Sequence, residues 1–182
     1  MKQIALLTAL LFVTSTAVFA QGHDMSKRAS PAASAECKFS DGKTVKIDYS
    51  SPRAKGRKIF GSKSDRALVP FGEVWRTGAN EATTFIAGTG VTVGGSAVPA
   101  GSYTIFTIPK ADAWTLVISK KTGEWGTNYP GEKEDFARVP MRVGKTAAPV
   151  ENFTIAFDQA GSKCNLHMEW ENTRASVEIV EK

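Results

Sequence analysis

Apolar residues recur at every second position in one segment of this chain after another, and that period fits a half-buried β-strand and no helix. Val45, Ile47 and Tyr49 alternate with Lys46, Asp48 and Ser50, directly after the turn pair Asp41-Gly42. Trp114, Leu116 and Ile118 alternate with Thr115, Val117 and Ser119, and Val139, Met141 and Val143 with Pro140 and Arg142. Phe153, Ile155 and Phe157 repeat the pattern, as do the runs 164–170 and 175–180. Val91 to Val93, the pair Gly94-Gly95 and Ser96 to Val98 read as a tight hairpin. Pro99-Ala100-Gly101 then turns the chain into Tyr103 to Ile108, whose apolar residues fall on both faces and so require cover from a second layer. Pro140 marks an edge or a bulge, because it cannot donate to a ladder.

About ten short strands separated by turn signals, with no helical period sustained over three turns, define an all-β domain. The expected architecture is a single-domain β-sandwich of jelly-roll type, with a closed β-barrel as the alternative that the same pattern permits. Residues 51–75 and 123–136 escape the alternation. Long irregular segments in a compact domain tend to carry function, so any site is expected there.

The first twenty residues give an address. Lys2 opens the chain, an apolar run spans Ile4 to Phe12, and Val18-Phe19-Ala20 supplies the small-residue ending of an export signal, with cleavage expected after Ala20. Thr14, Ser15 and Thr16 interrupt the run short of the roughly 20 apolar residues that a membrane span requires. Residues 21–35 are small and polar and read as a flexible leader, which places the folded domain at 36–181. Once the signal is removed no membrane span is expected, and the location is periplasmic or secreted.

Two cysteines, Cys37 and Cys164, share the apolar side of their runs, with Phe39 and with Leu166, Met168 and Trp170 respectively. In an oxidising compartment a bridge joining the two ends of the domain is expected, against the alternative of two separate buried thiols.

Three longer stretches suggest a family. Residues 51–61 (Ser-Pro-Arg-Ala-Lys-Gly-Arg-Lys-Ile-Phe-Gly), 69–83 (Val-Pro-Phe-Gly-Glu-Val-Trp-Arg-Thr-Gly-Ala-Asn-Glu-Ala-Thr) and 99–109 are unusual in composition. With Trp114, Trp125-Gly126 and the closing run 168–173, the chain resembles the exported bacterial family known as domain of unknown function 2911. The resemblance implies a β-rich domain found outside the cytoplasm and carries no activity over to this chain. Residues 62–67 separate the first two motifs like an insertion.

The densest polar chemistry lies at Trp75-Arg76-Thr77-Gly78-Ala79-Asn80-Glu81. In one reading this run is a self-satisfied arch in which Gly78 and Asn80 take unusual backbone angles and Arg76 pairs with Glu81. In the other, Trp75 offers a ring face to a small polar or sugar-like ligand, Arg76 takes a carboxylate or hydroxyl pair, and Asn80 and Glu81 bond hydroxyls, with Trp125 and Tyr129 as an opposing wall. The basic cluster Arg53, Lys55, Arg57 and Lys58 could hold an anion or simply be solvated, with Arg57 folded against the domain beside Ile59-Phe60. Nucleic acid is not expected as a partner: no aromatic interleaves the cluster, and 23 basic against 18 acidic side chains leave only +5.

A glycosidase would need two carboxylates about 5 to 9.5 Å apart, and Glu73, Glu81 and Asp135 are the candidates. His167 is the one histidine of the folded part and reads as a partly exposed strand residue, so no metal centre, no cofactor and no Ser-His-Asp triad is expected. Gly144-Lys145-Thr146 lacks the first glycine of a phosphate loop and reads as a turn, and Asn152-Phe153-Thr154 is expected inside a strand. The leading reading is a binding domain for a small polar or envelope-derived ligand, with Arg57, Trp75, Arg76, Asn80 and Glu81 as its contacts. An envelope structural or interaction module comes second, and a hydrolase acting on glycans third.

Overall fold

The computed structural model describes residues 28–182. The expected export signal, its cleavage point after Ala20 and leader residues 21–27 lie outside the described residues. Eleven strands account for nearly all regular structure: β1 (Ala32–Lys38), β2 (Thr44–Ser50), β3 (Phe60–Gly61), β4 (Val69–Pro70), β5 (Thr83–Ala87), β6 (Val91–Val93), β7 (Ser96–Val98), β8 (Gly101–Pro109), β9 (Ala113–Ser119), β10 (Asp135–Ala160) and β11 (Lys163–Glu181). Among the described residues the helical structure is a single 3-10 turn, Glu132–Glu134.

Nine strands form one antiparallel sheet in the order β1-β2-β5-β8-β9-β10-β11-β6-β7, and β3 and β4 make a short parallel pair. The order ends in two different strands, so the sheet is not closed into a barrel and the domain is a β-sandwich. The expected short strands 139–143 and 153–158 are parts of one 26-residue strand, and 164–170 and 175–180 are parts of one of 19 residues. β10 pairs with β9 over Asp135–Arg142 and with β11 from Arg142 to Ala160, with register shifts at Lys145/Val150 and Val150/Thr154. Such shifts bend a strand, which lets the sheet turn over on itself. Pro140 pairs with Thr115 on β9, and pairing with β11 begins two residues later, so the other side of β10 has no β11 partner at this position.

The turned-over sheet closes on one core. Val45, Ile47, Phe85 and Ile105 from one side meet Leu166, Met168, Val177 and Ile179 from the other, all essentially solvent-free. Cys37 and Cys164 form the expected disulfide, which ties edge strand β1 to β11 across the core. Polar links run beside it: the Ser51 hydroxyl donates to the Phe153 carbonyl at 2.7 Å, and the Ile155 amide donates to the Tyr49 hydroxyl at 3.0 Å.

β1 begins at Ala32, so the last four residues assigned to the leader are strand. They lack an apolar period because the strand is held chiefly by its ladder to β2, from Ala32↔Ser50 to Lys38↔Thr44, with Ala33 and Ala35 half-buried. His167 is buried rather than partly exposed, at 7% accessibility. Its Nδ1 lies 3.4 Å from Asp158, which Arg174 holds together with Glu169. The polar face of a strand is covered here by the long Arg174 side chain's ion pairs, a possibility that alternation alone does not register. The hairpin at Gly94-Gly95 forms as expected, with φ of 52° and 90° at the two glycines, the pair of positive angles that a two-residue hairpin turn demands. The insertion-like residues 62–67 make the connection between β3 and β4, pinned by an Asp65–Lys58 ion pair and by the Ser62 amide donating to Asp65.

Candidate functional site

The run 75–83 folds as an arch from the core to the outer face of the sheet. Its anchor is Trp75, whose ring lies 5.8 Å from Trp170 in a stacked pair and meets Phe60, Trp114 and Phe153 edge-on. The indole N–H donates to the Gly78 carbonyl at 3.1 Å, and the Trp75 backbone exchanges hydrogen bonds with Thr107. Partly buried and packed among core aromatics, the Trp75 ring holds the arch.

Thr77 is fully buried with φ of 56°, a costly angle for a β-branched residue. It is over-determined: its hydroxyl bonds Thr107, and the Thr83 hydroxyl donates to its carbonyl at 2.7 Å. Gly78 fits because an added Cβ would lie 2.9 Å from the Ser50 carbonyl oxygen. Asn80, at φ of 56°, turns the chain outward and donates its amide to the Ser30 carbonyl at 3.1 Å.

Arg76 and Glu81 do not pair. Arg76 is half-buried with its Nε sealed and unpartnered among the described residues, and burial lowers its pKa below the ordinary arginine value. Glu81 instead accepts from Arg28 at 2.6 Å and from the Ser50 hydroxyl at 3.3 Å. Burial pushes the Glu81 carboxyl up, but the hydrogen bonds from Arg28 and Ser50 and the Arg28 charge outweigh it and leave the pKa below the ordinary value. A carboxyl whose folded pKa is depressed stabilises the fold above its unfolded pKa and loses that contribution as pH falls through the folded one. The Arg28–Glu81 clasp is therefore expected to open only as pH falls below the ordinary glutamate range, at a cost of about 1 kcal/mol or less for so exposed a pair. The Arg28 side-chain N–H signal in a pH titration by NMR reads the opening, and a signal that does not respond as the Glu81 carboxyl protonates would show that the clasp is not ionic.

Beside the arch, the outer face of the sheet carries one polar rung. Ser34, Asp48, Thr84, Thr104, Ser119 and Asp135 stand opposite one another in successive pairings and so project to the same side. The part over β8 and β9 is closed: Thr104 and Ser119 are buried, and Ser119 donates to the Glu134 carbonyl. There the irregular segments supply the cover that Tyr103 to Ile108 demanded, since Val74 and Tyr129 pack on Phe106, Val117 and Ala82. The part over β1, β2 and β5 is open. It forms a groove of about 580 Å3 lined by Ala32, Ser34, Asp48, Ser50, Glu81 and Thr84, among others.

Of the site residues expected from sequence, Glu81 lines this groove and Asn80 braces its rim. Trp125, 56% exposed, bridges to Glu81 through the backbone, and its ring centroid lies 6.0 Å from the Arg28 guanidinium. Tyr129 is elsewhere, donating to Asp135 and accepting from Arg138. Arg57 folds back on its own turn, donating to the carbonyls of Ala54 and Arg53, and with Arg53 and Lys55 lines a separate recess beyond Ala29 and Ser30. The three carboxylates considered for hydrolysis are each held by their own cation: Glu73 by Lys63, Glu81 by Arg28 and Asp135 by Arg138. Among the described residues no cluster of three metal-ligating side chains occurs. Sequence reading missed Ser34, Asp48, Ser50 and Thr84, because polar residues on the outer face of a strand look the same whether they meet bulk water or a groove.

Fold and site together define a β-sandwich with an open groove on the outer face of the sheet, mainly apolar with polar groups at Ser34, Asp48, Glu81 and Thr84, beside the arch. The family described as protein of unknown function (DUF2911) matches residues 30–179, and the chain belongs to it. Neither the curated proteins nor the solved structures contain a match.

Proposed function

We propose that this protein is exported, is cleaved after Ala20, and binds a small polar or envelope-derived ligand in the outer-face groove. The observation that carries the reading is the groove's lining: beside a mainly apolar floor that includes Ala32, Ala33 and Tyr49, the hydroxyls of Ser34 and Thr84 and the carboxylates of Asp48 and Glu81 border one open concavity. Such a set bonds the hydroxyls of a sugar-like molecule, and the exposed Trp125 ring at the rim offers a face for stacking. The arch keeps Glu81 in place before a ligand arrives, which limits the ordering cost of binding. Export is supported by the apolar start of the chain and by a disulfide of the kind that persists in oxidising compartments. Among the described residues no helix is long and apolar enough to cross a membrane.

Titration of the isotope-labelled protein with N-acetylglucosamine and related neutral envelope sugars is expected to shift the amide signals of Asp48, Ser50 and Thr84. Thr84→Val is expected to weaken binding about tenfold, the cost of one buried hydroxyl left unpaired. Shifts elsewhere, or equal affinity in that variant, would remove the groove as the site. Export is checked by sequencing the protein recovered outside the cytoplasm, where the first residue is expected to be Gln21.

A further inference from the structure

One side chain already occupies the mouth of the groove. Arg28 stands four positions before β1, and its guanidinium reaches Glu81 at 2.6 Å with the Trp125 ring centroid 6.0 Å away. It is only 20% exposed, although it belongs to a segment outside the sheet. That segment is fastened by the Asn80 amide to the Ser30 carbonyl and by the Ser51 amide to the Pro31 carbonyl. The receiving groups are built independently of it. Glu81 is fixed by the arch and by the Ser50 hydroxyl, and Trp125 is fixed by the backbone bridge to Glu81 and by the Gly126 amide donating to the Asn80 carbonyl. A carboxylate beside an aromatic ring, with a hydroxyl on the carboxylate's second oxygen, is the constellation that recognises an organic cation: the charge meets the carboxylate and the ring quadrupole at once.

We propose that Glu81, Trp125 and Ser50 form a cation subsite at the groove mouth, that Arg28 is its internal occupant, and that the subsite takes small amine- or guanidinium-bearing molecules in place of Arg28. This inference rests on the groove reading above and adds the charge of the ligand to it. Because Arg28 is tethered a few residues from its site, it competes at high effective concentration, and an incoming cation binds only as tightly as it outcompetes that tether. A ligand carrying both hydroxyls and an ammonium group spans the open groove and the subsite, whereas a neutral sugar meets Glu81 and Trp125 without the charge attraction that displaces Arg28.

The test compares three probes on the full chain by NMR titration: agmatine for a bare guanidinium, glucosamine for an ammonium on a sugar, and N-acetylglucosamine as its neutral counterpart. Arg28→Ala is expected to raise affinity for agmatine and glucosamine roughly tenfold or more, with shifts at Glu81 and the Trp125 indole, and to change that for N-acetylglucosamine several-fold less. Adding Glu81→Gln to Arg28→Ala is expected to abolish the gain, and adding Trp125→Ala to reduce it several-fold. Arg28→Gln repeats the measurement should the alanine variant fold poorly. Cation affinity equal in wild type and both Arg28 variants, or a gain that survives Glu81→Gln, overturns the subsite. If N-acetylglucosamine shifts Asp48 and Thr84 while neither cation shifts Trp125, the subsite fails and the groove reading stands; cation shifts at Trp125 with no response to any neutral sugar support the subsite and sink the neutral-ligand reading. Tighter binding of glucosamine than of agmatine assigns the natural cation to an amino sugar, and the reverse order assigns it to a guanidinium compound.

Discussion

Replacing Cys37 and Cys164 together with alanine is expected to cost about 5 kcal/mol of stability, the chain-entropy value for a loop of more than a hundred residues. For a domain of this size that corresponds to a fall of about 10 to 20 °C in the unfolding midpoint. The two residues are 127 positions apart, so the bridge removes freedom from almost the whole unfolded chain. It also acts at an edge of the sheet, because β1 has a ladder on one side only, paired to β2. Both half-cystines are buried, at 1% and 0% accessibility, so reductant reaches the bridge only through opening of the domain. Alanine is the cleaner replacement, since serine would bury hydroxyls that have no partner. Calorimetry of the double variant beside wild type checks the value. A loss of less than about 1 kcal/mol would mean that ladder hydrogen bonds and packing hold β1 without the bridge.

Trp75→Ala is expected to cost about 3 to 5 kcal/mol, the range for truncating a large aromatic in a packed core. Trp75 touches Phe60, Trp114, Phe153 and Trp170, aromatics drawn from four different strands, so the cavity left behind borders both layers. The same residue fixes the arch through its indole bond to Gly78, and the arch sets the position of Glu81. The variant is therefore expected to lose groove binding along with stability. Trp75→Phe separates the two contributions: it keeps most of the packing and removes the indole bond, worth about 1 kcal/mol. Urea unfolding of both variants gives the comparison. Costs below about 0.5 kcal/mol for Trp75→Ala would place the ring at the surface and undo the account of the arch.

Alternation made the fold class legible because a strand with one buried face must write its exposure into the sequence, as Val45, Ile47 and Tyr49 do. The disulfide was legible for the same reason: Cys37 and Cys164 sat on the apolar side of their runs. Strand length was not. The bends at Lys145/Val150 and Val150/Thr154 interrupt the apolar period without ending the strand, so two long strands looked like four short ones. The start of β1 was hidden in residues as small as Ala32, Ala33 and Ser34, which form a ladder without contributing a hydrophobic pattern.

The candidate site was legible only at its rim. The arch advertised itself through Trp75, Gly78 and Asn80, whose residue types suit an unusual turn. What sequence could not supply was pairing: Arg76 and Glu81 are five positions apart, yet Glu81 meets Arg28, 53 positions away. Nor could it align Ser34, Asp48 and Thr84, since a rung across three strands exists only once the register is set.

The length of β10 and β11 bears on how this molecule loses its structure. A sandwich whose two layers are joined by loops can melt one layer first, but here the same two backbones run through both. Disorder beginning in the outer half of β10 has no boundary at which to stop short of the half that pairs with β9. Partial unfolding is thereby penalised, and the domain is expected to unfold as a single cooperative unit, which denies a protease a half-open intermediate to cut.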